Sequence, residues 1–153
     1  MSRSDLKPVD ELNINIIRYL RDGRRSFSEI AKKLSITTNT VRARVTMMIK
    51  NKLLSITGLI DPDLVPDHFL AIVAIKLSVM DLVNKGREFS KLKGVISVGV
   101  VTGRYDLMLT VLLNNEFGLM EFYTQEVAKI KDVQSAETFV LYKNYNWKVP
   151  YAL

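Results

Sequence analysis

A chain of 153 residues with 48% apolar residues can form one domain or two small ones, and 22 Lys/Arg against 16 Asp/Glu leave it basic. With no cysteine there is no disulfide framework, thiolate nucleophile or thiolate metal site, and a lone histidine, His68, would need carboxylates alone to complete a zinc site. No run reaches the roughly 18 to 20 apolar residues of a membrane span, and residues 1–13 lack the apolar core of a signal peptide, so a cytoplasmic protein with no membrane partner, metal or cofactor is expected.

From the N-terminus, Val9 to Arg21 reads as a helix with Asp10 as its cap, Leu12, Ile16, Ile17 and Leu20 as its apolar stripe, and Gly23 as its end. Two shorter amphipathic patterns follow, broken at Leu34-Ser35-Ile36, which is the layout of a helix-turn-helix. Phe27, Ile30, Ala31 and Leu34 form the apolar face of the first. The second opens at Thr37, whose hydroxyl can cap it, and buries Val41, Val45, Met48 and Ile49. Stepping about 100° per residue puts Asn39, Arg42, Ala43, Thr46 and Lys50 on the opposite face. Leu53 to Ile60 then reads as a short β wing or the start of a connecting strand, and Asp61 to Asp67, with Pro62 and Pro66, as a stiff, turn-prone linker.

The charge divides at the same place. Residues 1–60 hold 12 Lys/Arg against 5 Asp/Glu, whereas residues 61–153 hold 10 against 11. A positive lobe beside a near-neutral one predicts a polyanion-binding module joined to something else. The expected organisation is a DNA-binding domain over 1–60, a linker over 61–67, a second domain over 68–143 and a tail over 144–153.

The second half predicts the order β-α-β-β-α-β, a split βαβ with both helices on one face of the sheet. Its strands are Phe69–Val79, Val95–Thr102, Leu107–Leu113 and Val133–Lys143; its helices run over Asp81–Leu92 and about Asn115–Lys131, the latter with Phe117, Met120, Tyr123, Val127 and Ile130 at helical spacing. Residues 69–75 and 107–113 are apolar at both parities, although helices on one side would demand alternation. The second face therefore meets either the sheet of a second copy, making a homodimer through the C-terminal halves, or the chain's own tail, Asn144 to Leu153.

Val9 to Leu64, with Arg24-Arg25-Ser26, Glu29-Ile30-Ala31-Lys32-Lys33 and Thr40-Val41-Arg42-Ala43-Arg44-Val45, resembles the DNA-binding half of the Lrp/AsnC family, the feast/famine transcription regulators. Val101 to Leu107 resembles that family's G-x-Y-D turn in the effector-sensing half. The resemblance implies an α/β chain of the α+β kind: an N-terminal winged helix-turn-helix and a C-terminal ferredoxin-like βαββαβ sandwich. It also implies homodimers that assemble into tetramers or octamers, with amino acids as common effectors. The chain departs from the family in Asn13 where Asp is usual, Lys52 where Gly is usual, the cationic Arg104 inside the turn motif, and Ala136 at one of two last-strand positions often held by Thr, the other being Thr138.

Site residues follow. Thr38, Asn39, Arg42 and Thr46 are placed near base edges and Thr37, Arg44 and Lys50 near phosphates of double-stranded DNA, Arg and Asn being suited to bidentate contacts with guanine and adenine. Arg44 lies beside the apolar stripe and has an alternative, pairing with an acid inside the domain. Arg24 and Arg25, before the second helix, can reach the DNA backbone or lie in a solvated turn. Gly103-Arg104 can form a two-residue type II′ hairpin turn with no further role. What the family implies instead is that Gly103, Arg104, Tyr105, Asp106 and Thr138 contribute to an effector site. The C-terminal half offers no nucleophile–base pair, metal cluster or phosphate loop, so no enzyme is expected. The rival is an architectural protein that binds DNA with little regard to sequence.

Overall fold

Three capped helices build the first unit of the computed structural model, which describes residues 9–153 and divides at Ile56/Thr57. Residues 1–8, the start of the expected DNA-binding domain, lie outside the described residues. Helix α1, Glu11–Leu20, begins where the Asp10 carboxylate accepts from the Asn13 N–H at 2.8 Å. A capping box opens α2, Phe27–Leu34: Ser26 Oγ accepts from the Glu29 N–H at 3.2 Å, and the Glu29 carboxylate accepts from the Ser26 N–H at 2.7 Å. Ser35, left-handed at φ 54°, closes that helix, and Thr37 opens α3, Thr38–Lys50, by accepting from the Thr40 N–H at 3.1 Å.

Ile16, Ile30, Ala31, Val41, Val45 and Met48 form the shared core, so the helix-turn-helix pattern reads directly onto the packing. Ile49, expected inside, is 45% exposed. Val41, Val45 and Met48 stack on one seam at spacings of four and three, and Ile49 is rotated about 100° past it. Lys52, in the position where the resemblance expects glycine, has left-handed backbone at φ 57°.

The β wing is not built. Residues 53–59 form no strand, and the Leu53 and Leu54 N–H groups both turn back to the Met48 carbonyl, at 2.9 and 3.2 Å. The connecting strand is not built over this stretch either; its one β contact is an isolated antiparallel bridge between Ile60 and Val149. Pro62–Leu64 is a 3-10 turn within the turn-prone linker, opened by the Asp61 carboxylate accepting from the Asp63 N–H.

In the second unit β1, Phe69–Leu77, lies between β3, Leu107–Leu113, and β4, Val133–Val140, with β2, Val95–Val100, outside β3. All three pairings are antiparallel, which is the ferredoxin-like order. Ala71, Val73, Ile75 and Leu77 of β1 and Leu107, Leu109, Val111 and Leu113 of β3 share one core with Phe89 and Leu92 from α4, Leu82–Phe89, and its end. Gly94, at φ 80°, lies so close beneath β3 that a Cβ there would sit 2.7 Å from the Leu112 carbonyl oxygen; only glycine fits.

The second helix departs from the regular one expected. Asn114 Oδ1 accepts from the Glu116 and Phe117 N–H groups, holding the chain in a turn, so that α5 starts late, at Leu119–Glu121. It continues as a π segment, Phe122–Glu126, and a 3-10 turn, Val127–Lys129. Buried Phe122 and Val127 are five residues apart, which a π turn keeps on one side and an α turn does not; Met120, expected inside, is 74% exposed.

The tail supplies part of the answer to the two-sided strands. Val149 is buried against Leu70 and Leu112 on the sheet face opposite the helices, with Ile60, Ile96, Leu141 and Leu153 around it. On the next rows of that face Ile72, Met108 and Thr110 are half-exposed, and Phe139 is 45% exposed.

Candidate nucleic-acid interface and ligand groove

On α3 the outward residues Asn39, Arg42, Ala43, Thr46 and Lys50 are exposed, as the helical stepping predicts, and Thr38 is half-buried at the first turn. Asn39 Oδ1 accepts from Arg42 Nη1 at 2.8 Å, which ties one guanidinium N–H to the exposed side of the helix and leaves the others of this exposed residue for a partner. Thr37 is committed to its own helix, accepting from the Thr40 N–H and sharing a 2.8 Å hydrogen bond between the two hydroxyls.

Arg44 is the exception among the phosphate candidates. Its Nη1 is ion-paired to Asp10 and donates to Asn13 Oδ1 at 3.1 Å, joining α3 to the first turn of α1. The Arg44 hydrogen bond holds the Asp10 carboxyl below the ordinary aspartate range, assisted by the Asn13 N–H. The structure therefore realises the intradomain alternative for Arg44. Asp10 and Asn13 were not identified as its partners, because nothing local in the sequence links positions 31 and 34 residues apart.

The turn motif in the second unit is wider than a two-residue hairpin. β2 stops at Val100, and the Val101 N–H donates to the Asp106 carbonyl at 3.0 Å across the four residues 102–105. Gly103 has the positive φ expected of it, 121°, and is exposed. The longer loop arises because Asp106 is bound to the centre of the sheet: its N–H donates to the Ile75 carbonyl, its Oδ2 accepts from the Leu77 N–H at 2.8 Å, and its Oδ1 pairs with Lys76 Nζ at 3.0 Å. Those partners, the Leu77 N–H first, hold the Asp106 carboxyl below its ordinary range.

Arg104 lies over the Tyr105 ring, 5.4 Å from its centroid. Arg104 and Tyr105 line a shallow groove with Lys76, Ser135, Ala136 and Glu137, which brings a guanidinium, an ammonium, a hydroxyl and a carboxylate to one place. Gly103 and Asp106 do not line it. Thr138 is directed elsewhere: it pairs across from Val73, on the helix side of the sheet, and its hydroxyl bonds the Tyr123 hydroxyl at 2.7 Å. Lys76, Ser135 and Glu137 were missed; alternation along β4 opposite Lys76 was the signal that could have found the last two.

Residues 9–49 match the model of the AsnC-type helix-turn-helix domain, and residues 70–147 match that of the Lrp/AsnC ligand binding domain. A relative from Pyrococcus furiosus, an uncharacterized HTH-type transcriptional regulator, is 32% identical over 141 residues, covering 91% of this chain and 95% of its own. The chain belongs to the Lrp/AsnC family. That family comprises transcriptional regulators, with a DNA-binding helix-turn-helix and a ligand-binding domain, and not enzymes. Among solved structures, Escherichia coli AsnC is similar at a TM-score of 0.68 and 20% identity, covering 90% of this chain and 95% of its own. A Neisseria meningitidis transcriptional regulator solved as its L-Met complex is similar at 0.69 and 18%, covering 94% and 95%. These two likenesses show the fold. No helix among the described residues is long and apolar enough to cross a membrane.

Proposed function

We propose that this Lrp/AsnC member is a sequence-specific, cytoplasmic regulator that reads double-stranded DNA with Asn39, Arg42 and Thr46 of α3, with Thr38 at its first turn and Lys50 and the Thr37 end on phosphates. The observation that carries this reading is the outward Asn39–Arg42 pair on a helix whose opposite face is the domain core. A bidentate guanidinium–guanine contact is worth roughly 1–3 kcal/mol of discrimination, and the Asn39 bond pre-orients the group that makes it. Selection on fragmented genomic DNA at physiological salt, under competition by random DNA, should return a few fragments sharing a pseudo-palindromic site. Uniform recovery would replace the reading by the architectural one.

The second part of the proposal is modulation by an amino acid or related small molecule at the groove beside the 101–106 loop. A zwitterion needs one cationic and one anionic partner, and Arg104, Lys76 and Glu137 line that groove together. The L-Met complex of the Neisseria regulator supports a ligand of this class, and the committed state of Thr138 and Asp106 moves the expected contacts to Arg104, Tyr105 and Glu137. Calorimetry against the common amino acids tests it, with heat lost in Arg104→Ala; no heat from any of them would remove the effector.

The third part is a homodimer through the sheet face that carries Ile72, Met108, Thr110 and Phe139, with dimers assembling further into tetramers or octamers. An apolar row left in water is unfavourable and a second copy covers it. Sedimentation at micromolar concentration showing a monomer would exclude this.

A further inference from the structure

Among residues 9–56 there are 10 Lys/Arg and 4 Asp/Glu, and the reading face of α3 accounts for little of that excess, since it offers Arg42 and Lys50 while Arg44 is held by Asp10. Most of it lies over residues 18–33, where Arg18, Arg21, Arg24, Arg25, Lys32 and Lys33 face only Asp22 and Glu29. Two shallow depressions gather all six cations, and both contain Asp22 and Arg25, so the cations form one continuous surface on which no α3 residue lies.

Both carboxylates on that surface are already engaged. Asp22 pairs with Arg25 at 2.9 Å, and Arg25 also lies over the Tyr19 ring at 5.3 Å. Glu29 is the acid of the α2 capping box. Among the described residues no carboxylate stands within ion-pair distance of Arg18, Arg21, Arg24, Lys32 or Lys33. Like charges gathered without counter-charges repel one another, and a polyanion relieves that repulsion while releasing its own condensed counterions.

We propose that this α1–α2 face is a second DNA contact, gripping phosphates of the same duplex that flank the base pairs read by α3. The proposal rests on the DNA-binding role of the unit and extends it beyond α3. Helix α1 sets the distance: its Asn13 touches Arg44 of α3, and Arg18 and Arg21 follow five and eight residues later, about 8 to 12 Å along the axis at roughly 1.5 Å per residue. That is well within the roughly 34 Å of one duplex turn, so a single duplex is long enough to meet both surfaces.

The test uses the full chain and a labelled duplex of about 40 base pairs of mixed sequence, with affinity followed against salt by fluorescence anisotropy. One variant carries Arg21→Gln, Arg24→Gln and Lys33→Gln, all exposed; the control carries Arg87→Gln, Lys91→Gln and Lys131→Gln, exposed residues of the second unit with the same change in net charge. Each lost phosphate contact lowers the slope of log K against log salt by about 0.9, so the first variant should lose about 2 to 3 and the control almost nothing. Arg24→Gln alone should lose about 0.9, which keeps the test open if the triple variant melts early. An unchanged slope in the first variant, or equal losses in both triple variants, overturns the proposal. Failure of the wild-type chain to bind any duplex would instead remove the DNA-binding role on which it rests.

Discussion

Arg44 is held inside the first unit by Asp10 and Asn13, a place from which it can act on DNA binding by positioning α3. It spans from α3 to the first turn of α1, where Asp10 is both the cap of α1 and the partner of the guanidinium. Removing the negative charge with Asp10→Asn separates two roles by sign. If charge alone mattered, a DNA-binding unit one unit more positive would bind tighter; if the Asp10–Arg44 pair sets the position of α3, binding should weaken severalfold, while the salt slope stays within about 0.3 of wild type because no phosphate contact is lost. Arg44→Ala should behave alike. Arg42→Ala differs again: a specific site should lose roughly 1–3 kcal/mol that random DNA does not, and equal losses on both would reassign Arg42 to phosphate binding. Lys52 makes a separate prediction. A non-glycine residue in left-handed backbone costs on the order of 1 kcal/mol, so Lys52→Gly should raise the stability of the first unit by up to about that much in urea unfolding. No change would mean that the flexibility glycine adds to the unfolded chain cancels the relief.

Among the elements, the helices of the first unit were the most legible, because caps and apolar spacing are local. Asp10 and Thr37 cap α1 and α3 as the sequence reading has them, while the Ser26-Glu29 box that opens α2 comes from the structure. Ser26→Ala removes one half of the capping box and should cost about 1 kcal/mol, read as a lower urea midpoint with an unchanged m-value. The strands of the second unit were legible for the same reason, but their ends were not: the 101–106 loop is wider than the Gly103-Arg104 turn because Asp106 bonds to β1, thirty residues away. The π segment was hidden in the same way, since its cause is the packing of Phe122 and Val127 against a sheet that local periodicity does not describe. The Asp106 bond carries a pH dependence. A carboxyl lowered in the folded state stabilises fully above its unfolded pKa, about 3.9, and the stabilisation is lost as pH falls through the depressed folded value. Acid unfolding below about pH 4 should therefore be shallower in Asp106→Asn than in wild type; identical acid limbs would show that Asp106 contributes nothing to it.

At the scale of the whole molecule, the strands apolar at both parities had two readings, and the tail now covers one end of that sheet face while leaving the rest. Its hold on the second unit is polar as well as apolar. Asp63 of the 3-10 turn pairs with Lys143 at 2.8 Å and accepts from Asn144, and His68 meets Tyr151 with ring centroids 5.6 Å apart. Lys143, followed by its Asn144 neighbour, holds the Asp63 carboxyl below its ordinary range. Val149, 1% exposed, is the apolar plug over Leu70 and Leu112. Truncating it to alanine should destabilise the second unit by on the order of 2 kcal/mol through lost burial and the cavity left behind. The uncovered rows bear on assembly instead. Phe139 shares a row with Ile72 and Thr110, and Phe139→Glu would place a charge at the centre of any sheet-to-sheet contact while remaining solvated in a monomer. Val149→Ala should thus lower the melting temperature without changing the sedimentation coefficient, and, on the proposed sheet-to-sheet dimer, Phe139→Glu should halve the sedimenting mass with little change in helix content. Were Phe139→Glu to leave the assembly intact, the dimer would have to form through another surface, and the tail would be the principal cover of this sheet face.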